Sequence, residues 1–292
     1  MNLSQLDYSQ IIIDTINSLF NSLISSIDTT LYSLLDKIVF IDTSILSDSF
    51  FDKAFGSTYG IGLLAIADSL FLGIILYYCY RLIMSYYTGI TIEQPYTFLI
   101  RSIIFGICIN SSQFLCEQII YINSLLSDSI SEIGSAIYGT KISFSNLITQ
   151  INTFISTNNS FDLFSFDGIM KTFVTFGLIN LLFSYSLRYI LIKLFILLSP
   201  FAFLSLINIS TSWFFKIWVK NFLSMLLLQS LISLIFLLIF SFDGTFSSTF
   251  SQLLYIGAIY SLSKANNYMR ELIGGISTDI NINVSSLKSL FK

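Results

Sequence analysis

One stretch constrains this chain more than any other: residues 172–207, TFVTFGLINLLFSYSLRYILIKLFILLSPFAFLSLI, in which Arg188 and Lys193 carry the only charges. A helix needs roughly 20 apolar residues to cross about 30 Å of hydrocarbon, so this run is too long for one crossing and barely enough for two. An arginine or lysine at the bilayer centre costs about 3 kcal/mol even on mild insertion scales, which sends both cations to an interface or a protein interior. Pro200 breaks the helix that would otherwise continue.

Composition extends that reading to the whole chain. Charged residues make up 11% and apolar residues 54%, with a mean hydropathy of +0.79; a soluble domain carries about a quarter charged residues. The chain therefore reads as an all-α, polytopic integral membrane protein. Its net charge of −3 gives no basic surface for neutralising phosphates. Histidine is absent, which removes imidazole metal sites, histidine triads and the commonest general base. No catalytic, cofactor-binding or metal-ligating residue is expected, and the chain does not read as an enzyme. Gly274 and Gly275 precede no Gly-Lys-Ser/Thr, so they read as a helix cap and not as a phosphate loop. Cys79, Cys108 and Cys116 sit singly in apolar runs and read as small buried side chains. The start, MNLSQLDYSQIII, has no positive flank, so a retained N-terminus is expected.

Residues 1–58 differ in character from the rest. Ile12, Ile16, Leu19, Phe20, Leu23, Ile27, Leu31, Leu34, Leu35 and Ile38 recur at three and four, as in an amphipathic helix or helical hairpin. Acidic and poor in lysine, this region is expected outside, either as a cap on the membrane domain or as an arm for a partner. Residues 59–120 hold the first two spans, 59–84 and 98–120. Arg81 and Arg101 flank the short loop between them, beside a tyrosine cluster, which places that loop in the cytoplasm. Residues 121–169 form an acidic external loop with helical segments. Residues 170–265 hold the C-terminal helix cluster, and residues 266–292 a cytoplasmic tail.

Within the cluster, a span from 172 should bring Arg188 and Lys193 to the cytoplasmic boundary, where both can snorkel. The segment around Pro200 is either a half-helix near the inner face or a short complete span. The first choice keeps Lys216 and Lys220 in the cytoplasm as interfacial anchors beside Trp213 and Trp218, and gives five crossings. The second gives six and exposes the whole basic tail, so five are preferred, with the N-terminus outside and the C-terminus inside the cell membrane. Asp68, Asn110, Glu117 and Asn180 are the candidate intramembrane polar residues. Each must be paired, hydrated or turned to a protein interior, as structural contacts or as the lining of a hydrated path.

The stretch SPFAFLSLINISTSWFFKIWVKNFLSMLLLQSLISLI, followed by YIGAIYSLSKANNYMRELIGGIS, resembles the C-terminal half of TrbL-type conjugal transfer proteins of Gram-positive mobile elements. That family supplies polytopic inner-membrane channel components of type IV secretion systems. The resemblance implies a homo-oligomeric subunit in the lipid bilayer, assisting passage of single-stranded DNA with its bound relaxase. ATPases, a coupling protein and external lytic or adhesion-like components would be its partners. It brings no catalytic residues. The rival reading is a secondary transporter with its site at the broken helix near Pro200, against which stand the absence of an inverted repeat and the large amphipathic fraction.

Overall fold

The computed structural model describes residues 11–22 in part, 29–56, 62–139, 141–147, 166–241 and 249–274. Every regular element among them is helical. Hydrocarbon offers backbone groups no partner, so apolar runs of this length close their hydrogen bonds within each segment. In chain order the helices are α1 (Thr29–Val39), α2 (Ser49–Phe55), α3 (Leu63–Thr88), α4 (Pro95–Asn110), α5 (Ser112–Tyr138), α6 (Phe166–Leu197), α7 (Ser199–Leu204), α8 (Ser212–Phe240) and α9 (Thr249–Ile273). Short 3₁₀ turns occupy Thr43–Leu46 and Ile209–Thr211.

The helix ends follow from local chemistry. Gly89 stops α3 at φ 69°, its N–H donating to the Ser85 carbonyl at 2.9 Å; a side chain would be strained there. Pro95 opens α4 in the first turn, where its missing N–H costs nothing. Gly274 closes α9 in the same left-handed way, so the expected cap is present. Pro200 likewise ends α6 and starts α7. At six residues α7 is about 9 Å long, so the half-helix is what forms, and the short complete span does not.

Among the described residues, three helices are long and apolar enough to cross a membrane: α3, α6 from Thr172, and α8 with the turn before it. A fourth is added if α4 and α5 count as one span, bent by 66°. The described residues thus hold three to four helices that could span a membrane, consistent with a helical membrane protein. Two expectations need redrawing. Span 98–120 is not one helix: it breaks at Ser111, and its second half runs unbroken through residue 120 to Tyr138. The expected last span, 250–263, lies in α9, where Lys264, Asn266, Asn267, Arg270 and Glu271 dilute the apolar character. The turn at 242–248, the end of the acidic loop at 148–165 and the tail beyond 274 lie outside the described residues.

Helices α5, α6, α8 and α9 form the bundle, with α8 packed against the other three. Hydrogen bonds Asn123–Gln229 and Ser127–Ser233 share one register, so α5 and α8 run in the same direction. Arg188–Met225 and Trp218–Phe195 contacts run α6 the opposite way.

Residues 35–55 of the N-terminal region lie in the same cores as the bundle: Leu35 and Val39 pack with Phe144, Tyr185 and Phe236, and Ile41, Ile45, Phe51 and Phe55 pack with Cys116, Ile192 and Trp218, whereas Ile11, Ile12 and Leu19 are exposed. Asp36 accepts from the Phe144 N–H (2.7 Å) and from the Ser145 N–H and hydroxyl, near the end of α5. Asp48 pairs with Lys193 near the end of α6 at 3.2 Å. The strap from 36 to 48 therefore runs beside α8 from one end of the bundle toward the other. Asp48 and Lys193, expected on opposite faces of a membrane, share one end. An amphipathic pattern signals a buried stripe without saying what buries it.

Candidate functional site

Two polar arrangements stand out among the described residues: a buried one inside the bundle and an open one on the α3–α4 hairpin.

The buried arrangement centres on Arg188, which has no exposed surface. Its Nε donates to the Met225 carbonyl at 2.7 Å and its Nη1 to the Val39 carbonyl at 3.0 Å, while Nη2 has no partner among the described residues. The expectation that Arg188 snorkels to a boundary is thus overturned. Helix α6 continues nine residues beyond it, about 13 Å, farther than the side chain reaches. The guanidinium instead caps the last carbonyl of α1, where the helix dipole is negative. Two residues on, the Ile41 N–H donates to Gln229 Oε1 at 3.0 Å, and Asn123 Nδ2 approaches the same oxygen at 3.4 Å. Ser127 and Ser233 close the seam at 2.7 Å. Arg188 and Gln229 therefore hold the backbone where α1 ends, at 39–41, whose polar groups would otherwise be costly to bury.

Sequence reasoning named none of Asn123, Ser127, Gln229 or Ser233. The signal was available: polar side chains at spacings of four on α5 and α8, in helices otherwise built from Leu, Ile and Phe.

The open arrangement brings together two of the four sequence candidates. Asn110 Nδ2 donates to Asp68 Oδ1 at 3.3 Å and approaches the Gly106 carbonyl at 3.2 Å. The pair sits at one end of a groove of about 970 Å³ between α3 and α4, whose walls are otherwise apolar apart from Ser102, Ser111 and Tyr78. On the opposite side of the stacked Tyr78–Phe98 rings (3.7 Å) lies a smaller recess with Arg81, Glu93 and Asn208. The other two candidates lie apart. Asn180 donates to Ser263 Oγ at 2.9 Å, tying α6 to α9. Glu117 is half-buried on α5, in neither arrangement.

The anchors divide similarly. Arg81, Lys216 and Lys220 are exposed, as expected of interfacial cations. Arg101 is held by Glu93 at 2.9 Å. Lys193 sits between Asp48 and the Phe51 and Tyr189 rings, at 5.6 and 5.2 Å from their centroids. Asp48 is held below the ordinary carboxylate range, first by the Phe50 N–H and then by Lys193. Pro200 is buried in the packing of α7, so the broken helix presents side chains where a carrier would need a cleft. Neither a family model, nor a curated protein, nor a solved structure matches the chain.

Proposed function

We propose that this chain is a non-enzymatic membrane subunit of a conjugative type IV secretion machine, of the TrbL type. It would help single-stranded DNA with bound relaxase across the cell membrane. Its partners would be further copies of itself, ATPases, a coupling protein and external lytic or adhesion-like components. The machine is named by the likeness to that family, best over about residues 166–277. The observation that carries the reading is the α3–α4 hairpin, apolar nearly all round yet only 6% buried over the α3 window. Such an arm suits a subunit that meets other membrane proteins better than a self-contained carrier.

For orientation, the end bearing Lys193, Lys216 and Lys220 faces the cytoplasm by the positive-inside rule. In that orientation α6 and α9 run inward and α8 outward, which puts the C-terminus inside.

Deletion of the gene in a mobilisable host tests the role: loss of element transfer is expected, and transfer at the wild-type frequency ends the proposal. Topology is tested separately by thiol labelling in intact cells. Ser212→Cys and Ser47→Cys should both be shielded from an impermeant reagent, and labelling of either from outside refutes the orientation.

A further inference from the structure

The α3–α4 groove combines three features. Its floor on α4 carries Ser102, Gly106 and Asn110 at intervals of four, with the Phe71 ring of α3 packed over Gly106. The Ser102 hydroxyl is buried, with the residue 6% exposed, and it has no partner among the described residues. At one end stands Asp68, whose hydrogen-bond partner is a neutral amide. The ion pairs among the described residues, Arg101–Glu93 and Lys193–Asp48, leave Asp68 without a cation.

Acyl chains can cover the apolar walls, but they offer nothing to a carboxylate or an orphan hydroxyl. A carboxylate beside hydrocarbon is stabilised by an opposite charge, and membrane helices supply one from lysine or arginine side chains. We propose that the groove docks a transmembrane helix of another protein, apolar along its length and bearing one basic side chain that pairs with Asp68. Charge complementarity chooses this occupant. The inference requires only that the chain lies in a membrane; it does not rest on DNA transfer.

The test uses the full chain in phosphatidylcholine nanodiscs, with a fluorophore on Cys79, which lines the groove and is exposed. Cys108 and Cys116 are replaced by alanine. The probe is a synthetic Leu-Ala helix of roughly 20 residues carrying a donor dye and one lysine near an end, compared with the same helix carrying leucine there. The lysine helix should bind about tenfold more tightly, and Asp68→Asn, which keeps the shape and the Asn110 contact, should abolish the difference. Asp68→Lys should then prefer a glutamate helix. Equal binding of the lysine and leucine helices, no binding of either, or an undiminished preference in Asp68→Asn would each overturn the proposal. Energy transfer between two labelled copies of the chain without probe, lost in Asp68→Asn, would assign the groove to a second copy and likewise overturn it.

Discussion

Helices α3 and α8 are both apolar enough to cross a bilayer, yet the structure uses them oppositely. The apolar window of α8 is 56% buried within the chain, that of α3 only 6%. Their mean hydropathies are 1.8 for α3 and 2.5 for α8; they also differ in the placement of polar side chains. Helix α8 buries Asn221, Ser224, Gln229 and Ser233, and Gln229 and Ser233 find partners on α5 and the strap. Helix α3 keeps Ile66, Leu70, Leu72 and Leu76 outward and meets α4 along one edge. In a solvent of lipid tails, apolar surface alone gives two helices little reason to associate. Burial follows small and polar contacts, which the bundle has in quantity and the hairpin holds in reserve around Asp68, Ser102 and Asn110.

This contrast can be broken most severely at Arg188. Arg188→Ala removes two charge-assisted bonds and leaves a cavity, so a loss of about 3–5 kcal/mol is expected, read as thermal unfolding in detergent with early proteolysis within residues 36–48. An unchanged midpoint would mean that the guanidinium does not hold the strap. Gln229→Leu orphans the Ile41 N–H and should cost about 1–3 kcal/mol by the same assay.

Asp48 gives a smaller, pH-dependent effect. Because its folded pKa lies below the unfolded value, the contribution is present above the ordinary carboxylate range and disappears as pH falls through the depressed value. Asp48→Asn should flatten that acid limb, and a limb unchanged in the variant would assign it to other carboxylates. The least effect belongs to the hairpin: Leu72→Ala or Leu76→Ala should change stability by no more than about 0.5 kcal/mol. A loss comparable to that of Gln229→Leu would show that the purified hairpin already has a partner.

Much of the bundle was legible in the sequence because charge and proline act locally. Pro200 had to end a helix wherever it fell, and Lys216 and Lys220 had to stay outside hydrocarbon. Asp68 and Asn110 were recognisable singly, though nothing in their separation of 42 residues revealed that they touch. Arg188 misled because its cost can be met in two ways, by reaching water or by finding carbonyls. The second depended on Val39, 149 residues away. The bend at Ser111 was hidden because no proline or glycine marks it.

The place occupied by the strap has an order of synthesis built into it. Residues 39–41 leave the ribosome early, whereas Arg188 and Gln229, which receive them, come only with α6 and α8. The early segment must wait at the membrane, unsatisfied, until two later helices arrive, because long-range contacts of this kind close last. A truncated chain ending before α8 would therefore display 36–48 to proteases and chaperones. Insertion of the final helices, more than that of the first, would be the committing step in its biogenesis.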